Sequence, residues 1–407
     1  MLEAKYGTSL EAAMRGPHGA ALRERIDDMS NEEYQALIRV EDGAELRRRL
    51  ADVAARRKHQ EILAAVADVA DDQLQTLIAN LGGHDLPRLI EVLNEADRVK
   101  GAPVVIFAYT VKGYGLPIAG DPLNHSQLLT QPQMDALREE LGIAPEEIWS
   151  RFPDDSPAGR WCREMAARLR EEPPRVELPA GRVPPMIDVR HPARTSTQEA
   201  FGRTIMRLGE IPEIGERLVT MSPDVATSTH LGGWINKAGV FALEEQKGYE
   251  PAAQRMLRWE PSPRGQHIEL GISEMNLFMA LGQFGLSGEL NGQPLIPIGT
   301  VYDPFVCRGL DALIYSLYIH ARFIFAGTPA GVSLSPEGGA HQSTVTPSLG
   351  IELPNLLSYE PAFGREVDWI MLEALRQCCA GEQGRATYLR LSTKPIDQAL
   401  LADAEAR

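Results

Sequence analysis

Apolar residues recur at spacings of three and four from about Asn31 to Lys100, as in Ala44 to Ala51 and Leu89 to Val99, which predicts a run of helices broken at Gly82-Gly83. Pro103-Val104-Val105-Ile106-Phe107-Ala108-Tyr109 is too apolar and too short for a solvent-facing helix; it reads as a buried strand emptying into Thr110-Val111-Lys112-Gly113-Tyr114-Gly115. Further along, short apolar runs predict strands at Arg217 to Met221, Gln266 to Leu270, Leu295 to Gly299, Arg322 to Ala326, Leu356 to Tyr359 and Ala386 to Leu391, with helices between most of them. Ser196-Thr197-Gln198-Glu199 has capping-box spacing, and Phe201, Ile205 and Leu208 follow on one helical face. This alternation predicts an α/β fold with a doubly wound, mostly parallel sheet, whose ligands belong at the carboxyl ends of the strands.

Prolines divide the chain. Many of its 29 fall between residues 151 and 195, including Pro173-Pro174 and Pro184-Pro185. The stretch 146–195 is therefore expected to be a linker carrying one amphipathic helix near 159–171, between domains at 1–145 and 196–395, with a short polar tail at 396–407. No repeat or low-complexity tract interrupts this plan.

At 407 residues, 43% hydrophobic and 24% charged, the chain has an ordinary soluble composition. Its formal charge of -15 argues against nucleic acid or an anionic membrane as partner. The basic cluster of Arg47 to Arg49 with Arg56 to Lys58 alternates with apolar residues at helical spacing and reads as a solvated helix face. Cys162, Cys307, Cys378 and Cys379 make no metal or redox motif, which suits a reducing compartment. Without a signal segment or an apolar run near 20 residues, a cytosolic protein is expected.

The chemistry-bearing residues cluster just after predicted strands. In His267-Ile268-Glu269-Leu270-Gly271-Ile272-Ser273-Glu274-Met275-Asn276, Glu274 opens an apolar helix. Alone, an acid in a first helical turn is explained by the macrodipole and unpaired amides. Here Ser273 can take the capping role, and Met275, Leu277, Phe278, Ala280 and Leu281 give the carboxylate apolar surroundings suited to proton exchange with a ligand. His341, in Pro336-Glu337-Gly338-Gly339-Ala340-His341-Gln342-Ser343, and His125, in Pro122-Leu123-Asn124-His125, are loop histidines that can be surface residues or proton donors. Tyr302 and Phe305 bracket the turn Asp303-Pro304 and can be core or a platform for a flat heterocycle. Asp224 follows the first strand of the same domain in a similar turn. Serine-hydrolase elbows, zinc-protease helices, dinucleotide fingerprints and phosphate loops are absent.

Gln266 to Asn276, with Tyr302-Asp303-Pro304-Phe305, Pro336 to Ser343, Gly82-Gly83-His84-Asp85 and Thr110 to Gly115, resembles the thiamine-diphosphate-dependent transketolase superfamily. More closely, it resembles the homodimeric type of pyruvate dehydrogenase decarboxylase component and its bacterial 2-oxo acid dehydrogenase relatives. The likeness runs from about residue 3 to 395. It implies that residues 196–395 form a pyrimidine-binding domain, and residues 1–145 the later part of a diphosphate-binding domain. It also implies that Glu274 bonds the pyrimidine nitrogen of thiamine diphosphate and drives its amino-imino shift, that Phe305 packs on that ring, and that Tyr302, His125 and His341 stand beside the reacting centre. Asp224 is expected on the cofactor side. The implied reaction is oxidative decarboxylation of pyruvate or a close homologue, with acyl transfer to a lipoyl-bearing acyltransferase component.

Family members also carry a Gly-Asp-Gly motif with a downstream asparagine for magnesium and diphosphate, and a C-terminal domain. This chain has no matching motif, so the Mg²⁺ ligands are expected on a missing segment or another chain, with the protein a homodimer, a truncated product or half of a split enzyme. Transketolase-type ketol transfer is the enzymatic alternative. A non-catalytic module that only dimerises or binds partners is the other.

Overall fold

The computed structural model describes residues 1–169, 176, 178, 180–246, 257–333 and 338–401. They form two compact units, Met1–Arg160 and Trp161–Arg407.

The first unit is a cluster of short helices, including Thr8–Arg15, Gly19–Asp27, Asn31–Ile38, Gly43–Leu50, Arg56–Ala65 and Asp71–Ile78. Their apolar stripes meet in one core, in which Leu10, Leu22, Leu46, Leu50, Ile62, Leu74 and Ile78 are fully buried. The helical run expected from residue 31 is therefore present, and it extends upstream to Thr8. The basic cluster lies on two of these helices: Arg48 and Arg49 bridge to Glu45, while Arg47 reaches Asp71 at 2.8 Å and the carbonyls of Val66 and Val69.

Strands β1 (Leu2–Ala4) and β2 (Ile106–Ala108) of this unit pair in parallel. Beside them runs the helix Leu86–Arg98, capped by Asp85. The apolar run at 103–109 does form a strand, but it is not buried: Ile106 is half-buried, and Val105, Phe107 and Tyr109 are exposed. Its physical deficit is one of neighbours. A parallel strand is ordinarily covered on both faces by crossover helices, and here β2 has one partner strand.

The second unit holds the sheet that the alternation predicted. Its strands are β3 (Arg194–Thr195), β4 (Leu218–Ser222), β5 (Val240–Phe241), β6 (Pro261–Ser262), β7 (His267–Glu269), β8 (Ile296–Val301), β9 (Ile324–Gly327), β10 (Leu356–Tyr359), β11 (Ala386–Arg390) and β12 (Ile396–Asp397). Eight of them run in the order β10-β11-β9-β8-β4-β7-β5-β6, with every pairing parallel, while β12 and β3 form a small antiparallel pair.

Strand side chains divide by the two-residue period between two cores. On β8 and β9, Ile296, Ile298, Ile324 and Ala326 pack with Phe201, Ile205 and Leu208 of the helix Thr197–Leu208 and with Met371 and Leu375 of Gly364–Cys379. On the other face, Val301, Phe323 and Phe325 pack with Leu277, Phe278 and Leu281 of the helix Glu274–Phe284 and with Leu313 and Leu317 of Leu310–Tyr318. Helices on both faces are what make the strands read as continuous apolar runs. The expected capping box also forms: Ser196 accepts from the Glu199 backbone at 3.1 Å, and Glu199 accepts from the Ser196 backbone at 3.0 Å.

Strand order reverses about β4: the chain runs outward to β5 and β6, returns to β7 on one side of β4, and continues to β8 on the other. A crevice outside the carboxyl ends at such a reversal is where open α/β sheets bind ligands. The turns after β4, β7, β8 and β9 all open at that edge.

Candidate active site

The turn after β7 places Glu274. Gly271 adopts a φ of 65°, which glycine allows without strain, and Ser273 caps the helix Glu274–Phe284 by accepting from the Asn276 backbone at 3.3 Å. With Ser273 as cap, the Glu274 carboxylate is left to face the site. It is 8% exposed, and Arg308 Nη1 lies 3.8 Å from it.

Arg308 comes from the turn after β8, where Asp303–Gly309 winds as a 3₁₀ helix. Residues three apart eclipse on such a helix, so Phe305 and Arg308 share a face, and the guanidinium sits 4.0 Å from the Phe305 ring centroid. Arg308 thus spans from the buried carboxylate to an aromatic surface. Tyr302, just before the same turn, donates its hydroxyl to Ser228 at 2.8 Å.

The loop after β9 completes the cluster. His341 lies 5.2 Å from the Tyr302 ring centroid and 5.4 Å from that of Phe305, and the two aromatic rings are 6.0 Å apart. Within the motif that carries His341, Pro336 and Glu337 lie outside the described residues, and Gly339–His341 form a short 3₁₀ turn.

Asp224, after β4, is exposed with φ 62°, and its backbone N–H donates to Glu269 at 2.7 Å. Burial works to raise the Glu269 carboxyl, but the His267 imidazole and the Asp224 and Gly271 backbone donors outweigh it and hold it below the usual carboxylate range. That carboxylate ties the β4 turn to the β7 turn.

The structure therefore brings Tyr302, Phe305 and His341 together, links them to Glu274 through Arg308, and sets Asp224 at the adjoining strand end. His125 belongs to the first unit, where it is exposed at the end of the turn Pro122–His125 with Nδ1 2.9 Å from Lys112 Nζ. In the same unit His84 stacks on Tyr114 at 3.8 Å, and its Nε2 accepts from the Val111 backbone at 2.7 Å, so the Gly82 to Asp85 motif holds the loop at 110–115.

Sequence reading passed over Arg308, Ser228 and Asp303. For Arg308 a signal existed, its three-residue offset from Phe305 beyond a proline-started turn; Ser228 is separated by 74 residues from the tyrosine it serves and gives no local sign. Among the described residues no three His, Cys, Asp or Glu side chains are grouped to hold a metal ion, and no helix is long and apolar enough to cross a membrane.

A parallel sheet with polar turns at its order reversal defines an open α/β protein whose ligand site lies outside the carboxyl ends of its strands. The family model described as the pyruvate dehydrogenase E1 component middle domain matches residues 190–396, half of the chain, and the chain belongs to that family. It is 25% identical to the pyruvate dehydrogenase E1 component of Cupriavidus necator over 96% of this chain and 45% of the relative. Identity to the Pseudomonas aeruginosa protein of the same name is 27%, over 90% of this chain and 43% of the relative. The chain thus spans less than half the length of these relatives. Among solved structures, transketolases from Campylobacter jejuni and Leishmania mexicana superpose with TM-scores of 0.54 and 0.53, over 82% and 85% of this chain and 50% and 49% of theirs. At 16% and 18% identity they show the fold alone.

Proposed function

We propose that the second unit receives the aminopyrimidine end of thiamine diphosphate in an enzyme that oxidatively decarboxylates pyruvate or a close homologue and passes the acyl group to a lipoyl-bearing acyltransferase component. Glu274 carries this reading, as a carboxylate held 8% exposed at a helix N-terminus with Arg308 reaching from it to the Phe305 face. An amino-substituted heterocycle suits such a place, since it offers a hydrogen-bond partner to the acid and a flat face to the ring. When bound, the cofactor supplies the electron sink for loss of CO₂ from a 2-oxo acid. In this assignment Glu274 bonds a ring nitrogen and holds a proton there, Phe305 packs on the ring, and Asp224 serves the cofactor side. Tyr302 and His341 orient the substrate.

Among the described residues no three His, Cys, Asp or Glu side chains are grouped to hold magnesium, and we assign the metal and the diphosphate it would bridge to another chain or segment. Two apolar surfaces support partners for a cytosolic enzyme of this kind. Met275, Met279, Ile314, Tyr315 and Tyr318 are exposed on the packed helices Glu274–Phe284 and Leu310–Tyr318, suiting a second copy of the subunit. In the first unit, Leu86, Ile90 and Leu93 of one helix and Phe107 of β2 are exposed, suiting a partner that completes the diphosphate domain.

The test is Glu274→Gln in the chain completed in trans, which keeps shape and hydrogen bonding but removes the acid. Lipoyl reduction is expected to fall by about 10²- to 10⁴-fold, the usual contribution of a positioned acid or base. Deuterium exchange at the thiazolium carbon is expected to slow with it. Exchange at the parent rate in Glu274→Gln would remove Glu274 from its proposed role.

A further inference from the structure

Asp303 lies between Tyr302 and Phe305 in sequence, yet its side chain points away from solvent completely, at 0% exposure. A carboxylate so buried is costly unless it is paired and hydrogen-bonded. Four donors from two other chain segments meet it. Tyr388 donates its hydroxyl, Thr346 donates at 2.5 Å, and Arg390 approaches through Nε at 3.4 Å and Nη2 at 3.5 Å. Burial and the Asp303 charge together push the Tyr388 phenol well above its ordinary value, so it stays a donor. Room for the carboxylate depends on Gly327 at the end of β9, where a Cβ would stand 2.2 Å from Asp303 Oδ1.

Thr346 is the joint of this arrangement. Its hydroxyl donates to Asp303, receives Arg390 Nε at 3.1 Å and pairs with Ser343 Oγ at 2.7 Å. Ser343 in turn donates its backbone N–H to Gly331 at 2.9 Å. The loop that carries His341 is thereby pinned immediately downstream of that histidine. The turn that carries Tyr302 and Phe305 is pinned by the same carboxylate, and Arg390 anchors both to β11 and, through Nη1, to Glu360.

We propose that Asp303 is a positioning residue: through Thr346, Tyr388 and Arg390 it fixes the distance between the His341 loop and the Tyr302–Phe305 turn, and so the three-ring cluster. Its meaning for catalysis rests on the function proposed above, but the clamp itself is a property of the chain without any ligand. A carboxylate that served only to neutralise Arg390 would hold β11 and leave His341 indifferent to the Thr346 hydroxyl.

Histidine-labelled NMR of the cofactor-free chain separates the two. Of the nine histidines, His341 is assigned by the resonance lost in His341→Gln. Two rings within 5.4 Å should displace that resonance from the free-imidazole position. Thr346→Val keeps the Asp303–Arg390 pair but removes the loop's tether. It is expected to move the His341 resonance toward the free position while that of buried His267 stays fixed, and Thr346→Ser, which keeps the hydroxyl, is expected to restore it. Asp303→Ala, which removes the acceptor that the Thr346 hydroxyl donates to, is expected to give the same displacement as Thr346→Val. An unmoved His341 resonance in either folded variant overturns the proposal. In the completed enzyme the Thr346→Val loss should fall on kcat, by about 10²-fold for a misplacement near 1 Å. A displaced His341 resonance in a chain for which Glu274→Gln has no effect on exchange would leave the clamp standing and remove the function; an unmoved resonance beside a Glu274→Gln defect would do the reverse.

Discussion

Strand β2 comes from a stretch at least as apolar as that of β8, and the two end in opposite environments. All six residues of β8 are buried, between β4 and β9 and beneath helices on both faces. Residues Phe107 and Ala108 of β2 are exposed, and beside it the helix Leu86–Arg98 turns Leu86, Ile90 and Leu93 outward. Local apolarity therefore specifies a strand, but burial is conferred by neighbours that lie far away in sequence. The second unit supplies those neighbours from its own residues. In the first, the helical core of Leu10, Leu22 and Leu46 is buried, while β2 has a single partner strand and exposed side chains.

The largest expected effect breaks or confirms this contrast directly. Phe278 is fully buried and meets Phe325 edge to face at 5.1 Å, so Phe278→Ala should cost about 3–5 kcal/mol by chemical denaturation. Phe107, 50% exposed, should cost no more than about 0.5 kcal/mol as Phe107→Ala. Comparable losses would mean that β2 is covered in solution, by a second copy of the chain or by other residues.

How far the sequence spoke follows the same division between local and distant causes. The six strands expected in the second unit all appear, with Leu356–Tyr359 at the expected bounds, because each is an apolar run stopped by polar turns. The caps Ser196 and Ser273 were legible because their partners lie three residues on. Strands β5 and β6 were not, since two residues at a sheet edge carry no periodicity. Of the site, the turns bearing Glu274, Tyr302, Phe305 and His341 could be located by their place after strands. The burial of Asp303 could not, because the groups that make it tolerable lie 43 to 87 residues away.

A middle-sized effect tests how the first unit holds its exposed helix. Asp85 caps Leu86–Arg98 by accepting from the Arg88 backbone at 2.9 Å, and it also accepts from the Thr8 backbone, the Thr8 hydroxyl and Asn80. Asp85→Asn places an amide among donors and should cost about 1–3 kcal/mol. Burial tends to raise the Asp85 carboxyl, but those donors win and hold it below its usual range. A depressed folded pKa gives stability that is present above the unfolded value, about 3.9, and is lost as pH falls through the folded value. The deficit of Asp85→Asn should therefore be constant above about pH 5 and shrink below pH 4. A deficit that grows on acidification would contradict the assigned role.

The smallest effect compares one helix cap from each unit. Ser30 caps Asn31–Ile38 through a single bond from the Glu33 backbone at 3.2 Å, and the Glu33 side chain is engaged with Arg25. Ser196 caps Thr197–Leu208 reciprocally: Glu199 reaches back to the Ser196 backbone, is further fixed by the Thr195 hydroxyl at 2.9 Å, and the helix buries Phe201, Ile205 and Leu208 completely. Removing the hydroxyl in Ser196→Ala frees the Glu199 backbone donor in a nearly closed site, since Ser196 is 3% exposed. At Ser30 water can take the serine's place. Ser196→Ala should thus cost about 1–2 kcal/mol and Ser30→Ala about 0.5 kcal/mol, the two ends of the usual range for N-caps. Hydrogen exchange of the first-turn amides reads each helix separately. Equal acceleration in the two helices would show that packing around the cap, and with it the difference between the two units, does not set what a cap contributes.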